Sequence, residues 1–229
     1  MSVARSVKRW LREHNRLGDV YARLASKWLT LRVAAYQRVV GRYHSAARFD
    51  RLFRAQRDPW NYHSDSIALH RRELLVAALP ANSARVLEIG CAEGFVTRLL
   101  ASRSADLIAV DISTVALERA RDACGSLTNV RFEVFDLQND ALPGHFDAII
   151  CAGVLVFLPP KVQTRTCDAI IAALAEGGTL VLEHTQQAYP GEYAGSEIHA
   201  LYASQPSLST VSHAVVGNYA ITVLKKGAS

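Results

Sequence analysis

From residue 84 to about residue 184, short apolar runs alternate with helical stretches, and this alternation limits the possible folds more than any other feature of the chain. Arg85–Ile89, Asp106–Asp111, Val130–Phe135, Phe146–Ala152 and Gly178–Glu183 read as strands. Gly94–Ser102, Thr114–Ala123 and Lys161–Ala175 read as helices between them. A strand followed by a crossover helix returns as a parallel neighbour, so the pattern predicts an α/β fold with helices on both faces of the sheet. The end of the chain departs from this. Leu208–Val216 and Tyr219–Leu224 are separated only by Gly217-Asn218, a hairpin signal that makes the last two strands antiparallel neighbours.

Ligands of open α/β sheets sit beyond the carboxyl ends of the strands. The first such end is V-L-E-I-G-C-A-E-G at residues 86–94. A phosphate-cradling loop needs G-x-x-x-x-G-K-[ST], but Gly94 is followed by Phe95 and Val96. A nicotinamide site needs G-x-G-x-x-G, but Ala92 and Phe95 occupy the second and third glycine positions. Glu88, two residues before Gly90, repels a pyrophosphate and suits a ligand that carries a cation.

These residues resemble motif I of the class I S-adenosylmethionine-dependent methyltransferases, [E/D]-x-G-x-G-x-G, with Glu88, Gly90, Cys91, Ala92 and Gly94 in register and Ala92 replacing the middle glycine. The resemblance implies a Rossmann-like fold with a seven-stranded, mostly parallel sheet and an antiparallel last strand. It also implies S-adenosyl-L-methionine as cofactor and S-adenosyl-L-homocysteine as product. Asp111, followed by Ile112, matches the acid that hydrogen-bonds both ribose hydroxyls; alone, it could equally be a helix cap. Asp136 matches the residue that reads the adenine amino group, with Leu137 supplying an amide; alone, Asp136 could be a turn former. F-D-A-I-I-C-A-G-V-L matches motif IV and places Cys151, Gly153 and Val154 beside the methionine end. No metal ligand set is implied.

Upstream, F-D-R-L-F-R-A-Q-R-D-P-W-N-Y at 49–62 and H-R-R-E-L-L-V-A-A-L-P at 70–80 are similar to the NodS-like branch, the nodulation-factor N-methyltransferases and their relatives. The acidic residue usual before the arginines is missing. This segment would supply a lid in which Phe53, Trp60 and Tyr62 close over the cofactor, unless these rings simply pack in the core. Arg71 or Arg72 would pair with the methionine carboxylate, unless both lie on a solvated helix face. His184, with Glu183 before it, follows the fifth strand and is the candidate general base, a packing role being the alternative. His63 and His199 are lesser candidates. Residues 186–206, rich in Tyr, Glu, Gln and Ser, would form the acceptor wall and suit a small polar ligand.

Residues 1–48 are set apart by charge. Eleven Lys/Arg face only Glu13 and Asp19 there, so this arm carries +9 and the remaining residues −4 of the net +5. Its apolar positions recur at helical steps, and a basic amphipathic arm can meet a membrane surface peripherally or dock on the body. Residues 49–229 form the methyltransferase domain, with 49–80 as lid and substrate segment. No apolar run reaches the ~20 residues that cross a bilayer, and no secretory signal opens the chain. Cys91, Cys124, Cys151 and Cys167 lack C-x-x-C spacing, which favours buried thiols in a reducing cytoplasm. Nucleic acid is disfavoured as acceptor, because Ala152-Gly153-Val154-Leu155 stands where [N/D/S]-P-P-[Y/F/W] would be expected. The leading expectation is methylation of N or O on a small polar, including sugar-containing, acceptor. The alternatives are O-methylation of a polyketide or aromatic compound, or a non-catalytic S-adenosylmethionine-binding regulator or partner protein.

Overall fold

The computed structural model describes residues 45–62, 66–81, 83–142, 144–187 and 193–228. Most of the basic arm, His63 and part of the 186–206 segment lie outside them. Seven strands, β1 (Ser83–Ile89), β2 (Ser104–Asp111), β3 (Val130–Val134), β4 (Phe146–Ala152), β5 (Leu174–Thr185), β6 (Leu208–Val216) and β7 (Tyr219–Lys226), form one sheet in the order β3-β2-β1-β4-β5-β7-β6. β1 to β5 are parallel to one another, and β7 is antiparallel to both β5 and β6. This is the topology expected from the strand and helix alternation and the terminal hairpin.

The described helices are α1 (Ala46–Ala55), α2 (Ser66–Ala78), α3 (Thr97–Leu100), α4 (Thr114–Cys124), α5 (Pro160–Ala173) and α6 (Gly195–Ala203). Side chains alternate across a strand with period two, so each central strand feeds two cores. On one face Leu87, Ile149, Cys151 and Leu182 pack with Cys167 and Ile170 of α5 and Ile198 and Tyr202 of α6. On the other, Val86, Ile150, Val181 and Ile221 pack with Leu75 of α2 and Leu100 of α3. The same alternation turns Glu183 toward α2 and His184 toward α6. The edge strand β6 is exposed along most of its length and is bulged between Thr210 and Ser212.

The two element starts that differ most from the sequence reading are those of α3 and β5. The helix expected from Gly94 starts only at Thr97, because Gly94 has φ +80, a left-handed conformation that an α-helix cannot contain. β5 begins at Leu174, which pairs with Phe146 before an irregularity restores register at Ala148 and Thr179. All four cysteines are buried and unpaired. Among the described residues, no helix is long and apolar enough to cross a membrane.

Candidate functional site

The β1 turn is tied to its neighbour strand: the Gly90 and Cys91 amides both donate to the Val110 carbonyl, at 2.8 and 3.0 Å. Gly90 takes φ +81, and a Cβ there would lie 2.9 Å from Val154 Cβ, so the second residue after β4 closes directly over this glycine. A Cβ on Gly94 would press Cys124 Sγ and Ala120 Cβ at 3.1 and 3.3 Å, which fixes how closely α4 approaches. Ala92 sits at φ 47. A left-handed conformation costs an L-residue about 1–2 kcal/mol, a cost that the glycine of the motif would not carry.

Asp111 ends β2, half-buried, and its two carboxylate oxygens accept the Ala92 amide (2.9 Å) and the Ser113 amide (2.8 Å). Burial nevertheless pushes its pKa upward. Ile112 beside it is also half-buried. Asp136 and Leu137 follow β3. The Asp136 carboxylate accepts the Gln138 amide (2.9 Å) and Asn139 Nδ2 (2.7 Å), so it shapes its own turn, and Leu137 packs against the sheet. At the end of β4, Cys151 is fully buried, whereas Gly153 takes φ +66 and its amide donates to the Glu183 carbonyl at 2.7 Å.

Glu88 lies inside the protein rather than on an open rim. It accepts Thr97 Oγ1 at 2.6 Å, and burial pushes its pKa from 4.5 up to about 7. The folded chain therefore holds this proton more tightly than the unfolded chain, and stability is lost as pH rises from 4.5 through about 7. The rise from 4.5 to about 7 corresponds to a cost on the order of 3 kcal/mol at pH 8. Glu88→Gln, which can still accept from Thr97, is expected to resist urea better than the wild type at pH 8. The gap should close near pH 5, and identical urea midpoints at pH 8 would contradict this account.

The segment before α2 covers the same end of the sheet. Phe53 is buried, Trp60 is exposed, and their ring centroids are 5.5 Å apart. Phe157, from the 3-10 turn Leu155–Phe157 after β4, meets Phe49 at 5.4 Å and Trp60 at 6.4 Å. Two polar fastenings that the sequence did not reveal hold the segment. Asp50 accepts Ser113 Oγ (2.7 Å), Thr114 Oγ1 (3.2 Å) and the Val115 amide (3.3 Å) at the N-terminus of α4, which favours a carboxylate. Glu93, within the β1 turn, accepts the Asp58 amide at 2.8 Å and Arg119 Nη1 at 2.6 Å.

Of the two candidate arginines, Arg71 is the one that reaches the sheet. It is buried, its Nε donates to Glu183 Oε1 at 2.7 Å, and its guanidinium lies 3.3 Å from the Tyr219 ring centroid and 5.3 Å from that of Tyr62. Burial beside Glu183 pushes the Tyr62 hydroxyl far above its ordinary range. Arg72 is half-buried, and its Nε is buried without a hydrogen-bond partner among the described residues.

The structure corrects the expectation of a base at the rim. Glu183 and His184 are both fully buried, because β5 continues to Thr185 and pairs Glu183 and His184 with Ile221 and Ala220 of β7. They lie within the sheet and not beyond its end. Glu183 is engaged by Arg71. His184 Nε2 accepts the Leu155 amide at 3.2 Å, its Nδ1 is 3.1 Å from His199 Nε2, and burial holds its pKa well below the ordinary value. His199 is buried too.

A family model described as Nodulation protein S (NodS) matches residues 47–217. Nodulation protein S of Bradyrhizobium diazoefficiens is 29% identical over 127 residues, which are 54% of this chain and 61% of that protein. A ubiquinone biosynthesis O-methyltransferase of Xanthomonas campestris is 30% identical over 139 residues, 59% of this chain and 56% of that protein. The chain thus spans about 60% of the length of the curated relatives it matches. Among solved structures, the N-methyltransferase NodS from Bradyrhizobium japonicum WM9 in complex with S-adenosyl-L-homocysteine superposes with a TM-score of 0.70 at 23% identity, over 75% of this chain and 93% of that one. Magnesium protoporphyrin IX methyltransferase from Synechocystis PCC 6803 gives a TM-score of 0.63 at 19% identity, over 83% of this chain and 97% of that one. The fold is that of the class I methyltransferases.

Proposed function

Because the chain belongs to the Nodulation protein S (NodS) family, matched over residues 47–217, we propose that it is an S-adenosylmethionine-dependent methyltransferase acting on N or O of a small polar acceptor, sugar-containing acceptors included. The observation that carries this reading is the join between the Gly90–Gly94 turn and Asp111. The Ala92 amide donates to the Asp111 carboxylate, so a tight turn and the acid proposed to read the ribose are held as one unit at the carboxyl ends of β1 and β2. With Asp111 as an acceptor and no lysine, this unit fits the hydroxyls of a nucleoside and not a polyphosphate.

S-adenosylmethionine supplies an already electrophilic methyl group on its sulfonium, so the chain's task is alignment and the exclusion of water. Alignment alone can lower such a barrier by about 7–11 kcal/mol. Asp111 orients the ribose, and Gly90 with its left-handed backbone permits close approach. Asp136 and Leu137 flank the adenine, while Gly153 and Val154 border the methionine end. Trp60 and Tyr62 form the wall that keeps water out. With Glu183 and His184 inside the sheet, an amine acceptor bound in its neutral form attacks with its own lone pair as the S–C bond breaks, and the proton of the resulting ammonium passes to the oxygen that orients it or to water.

The test is calorimetric titration of the full chain with S-adenosylmethionine and S-adenosylhomocysteine, followed by transfer of labelled methyl to amino sugars, glycosides and phenolics. Cofactor binding with transfer to an amino sugar or glycoside is the expected result. The similarity to ubiquinone biosynthesis O-methyltransferases supports a second reading, and transfer to phenolics alone would select it. Absence of cofactor binding would overturn both.

A further inference from the structure

His184, His199, Thr222 and His213 form a line of hydrogen bonds that runs from the interior to the edge strand, and one backbone amide sets its direction. The Leu155 N–H can only donate, so His184 Nε2, 3.2 Å away, must be the bare acceptor nitrogen. A neutral imidazole with bare Nε2 carries its proton on Nδ1, which lies 3.1 Å from His199 Nε2. His199 therefore accepts there and carries its own proton on Nδ1, 2.7 Å from Thr222 Oγ1. The Thr222 hydroxyl also meets His213 Nδ1 at 2.8 Å, on the exposed strand β6.

The amide at the inner end is well placed to matter. Leu155 opens the 3-10 turn that follows Gly153 and Val154. Val154 closes over Gly90, and Phe157 at the end of the turn holds Phe49 and Trp60. One turn thus touches both the glycine turn and the covering segment.

The groups around the line keep it neutral. Burial is the larger cause, holding His184 well below its ordinary value and His199 at about 4, and the neighbouring imidazoles (His199 beside His184, His213 beside His199) act in the same direction. Glu183 faces the opposite side of β5 and is paired with Arg71. On α6, Glu197 accepts the Ala194 amide at 2.8 Å, and Tyr202 is buried, with Cys151, Cys167 and Asp168 as its electrostatic neighbours. Protonated His184 would present N–H at both ring nitrogens and set one against the Leu155 N–H.

We propose that His184 is a positioning residue: with its Nδ1–H engaged by His199, its bare Nε2 fastens the Leu155 amide and so seats Val154 and Phe157 at the S-adenosylmethionine site. This rests on the cofactor assignment above, and the two can fail separately. Ring-nitrogen NMR on the wild-type chain needs no cofactor. At pH 7.5 it is expected to show His184 with bare Nε2 and protonated Nδ1, and the opposite tautomer would overturn the proposal. Calorimetry with S-adenosylhomocysteine supplies the second readout. His184→Phe is expected to weaken binding at least tenfold, and His184→Gln, whose side-chain oxygen can accept from Leu155, to stay within threefold of wild type. Equal losses in both variants would reveal a merely structural role, and unchanged affinity in both would remove the link to the site; either result overturns the proposal. If His184→Phe does not fold, the tautomer and the Gln variant decide. A wild-type chain that binds no S-adenosylhomocysteine while showing the expected tautomer would fail the cofactor assignment and leave the hydrogen-bonded line intact.

Discussion

Glu183→Ala is expected to destabilise the protein by about 3–5 kcal/mol, as seen by a lower midpoint of urea unfolding. Arg71 is 3% exposed and Glu183 0%, so the substitution leaves a guanidinium in the interior with no counter-charge. The Tyr219 face at 3.3 Å would remain as its partner, and a ring quadrupole offsets only part of such a cost. The burial of both charges, and not the strength of their attraction, makes the single change severe. Replacing both residues by leucine should therefore recover most of the loss, because neither charge then stays stranded. A Glu183→Ala chain as stable as the wild type would mean that water reaches Arg71, contrary to the packing described above.

Asp111→Ala is expected to weaken S-adenosylmethionine binding by at least tenfold in calorimetry. Two charge-assisted hydrogen bonds to ribose are each worth roughly 1.5–3 kcal/mol, and about 1.4 kcal/mol is already a factor of ten. The loss has a second source. The Asp111 carboxylate also accepts the Ala92 amide, so its removal takes away one of the bonds that hold Ala92 in its left-handed conformation, beside the Gly94 amide to the Cys91 carbonyl at 2.9 Å. Asp111→Asn keeps one carbonyl oxygen and should fall between the wild type and the alanine variant. Unchanged affinity in Asp111→Ala would remove this carboxylate from the cofactor site.

Local pattern carried the architecture. β4 runs over Phe146–Ala152, and the hairpin turns at Gly217-Asn218, because a buried apolar run and a two-residue link are both written in adjacent residues. What failed depended on distant partners. The sequence reading ended the fifth strand at Glu183, whereas pairing of Thr185 with Tyr219, a residue 34 positions later, extends it and draws Glu183 and His184 indoors. Arg71 and Arg72 are neighbours about 100° apart on a helix, so composition cannot say which one faces the sheet. The burial of Glu88 is legible in the strand pattern. Glu88 stands two residues after Val86, which by strand alternation places it on the same buried face. Asp50 and Glu93 belonged to segments already singled out, but only the fold shows that they reach Ser113 and Asp58.

Ser113 gives its amide to Asp111 and its hydroxyl to Asp50, so the acid proposed to read the ribose and α1 share one residue. Coupling free energy between two such events is reciprocal. Whatever factor an occupied Asp111 adds to the docking of Ala46–Ala55, the docked helix returns to occupancy. A chain shortened to begin after Gln56 would thus report its loss as a weaker dissociation constant, even where no deleted atom touches the ligand.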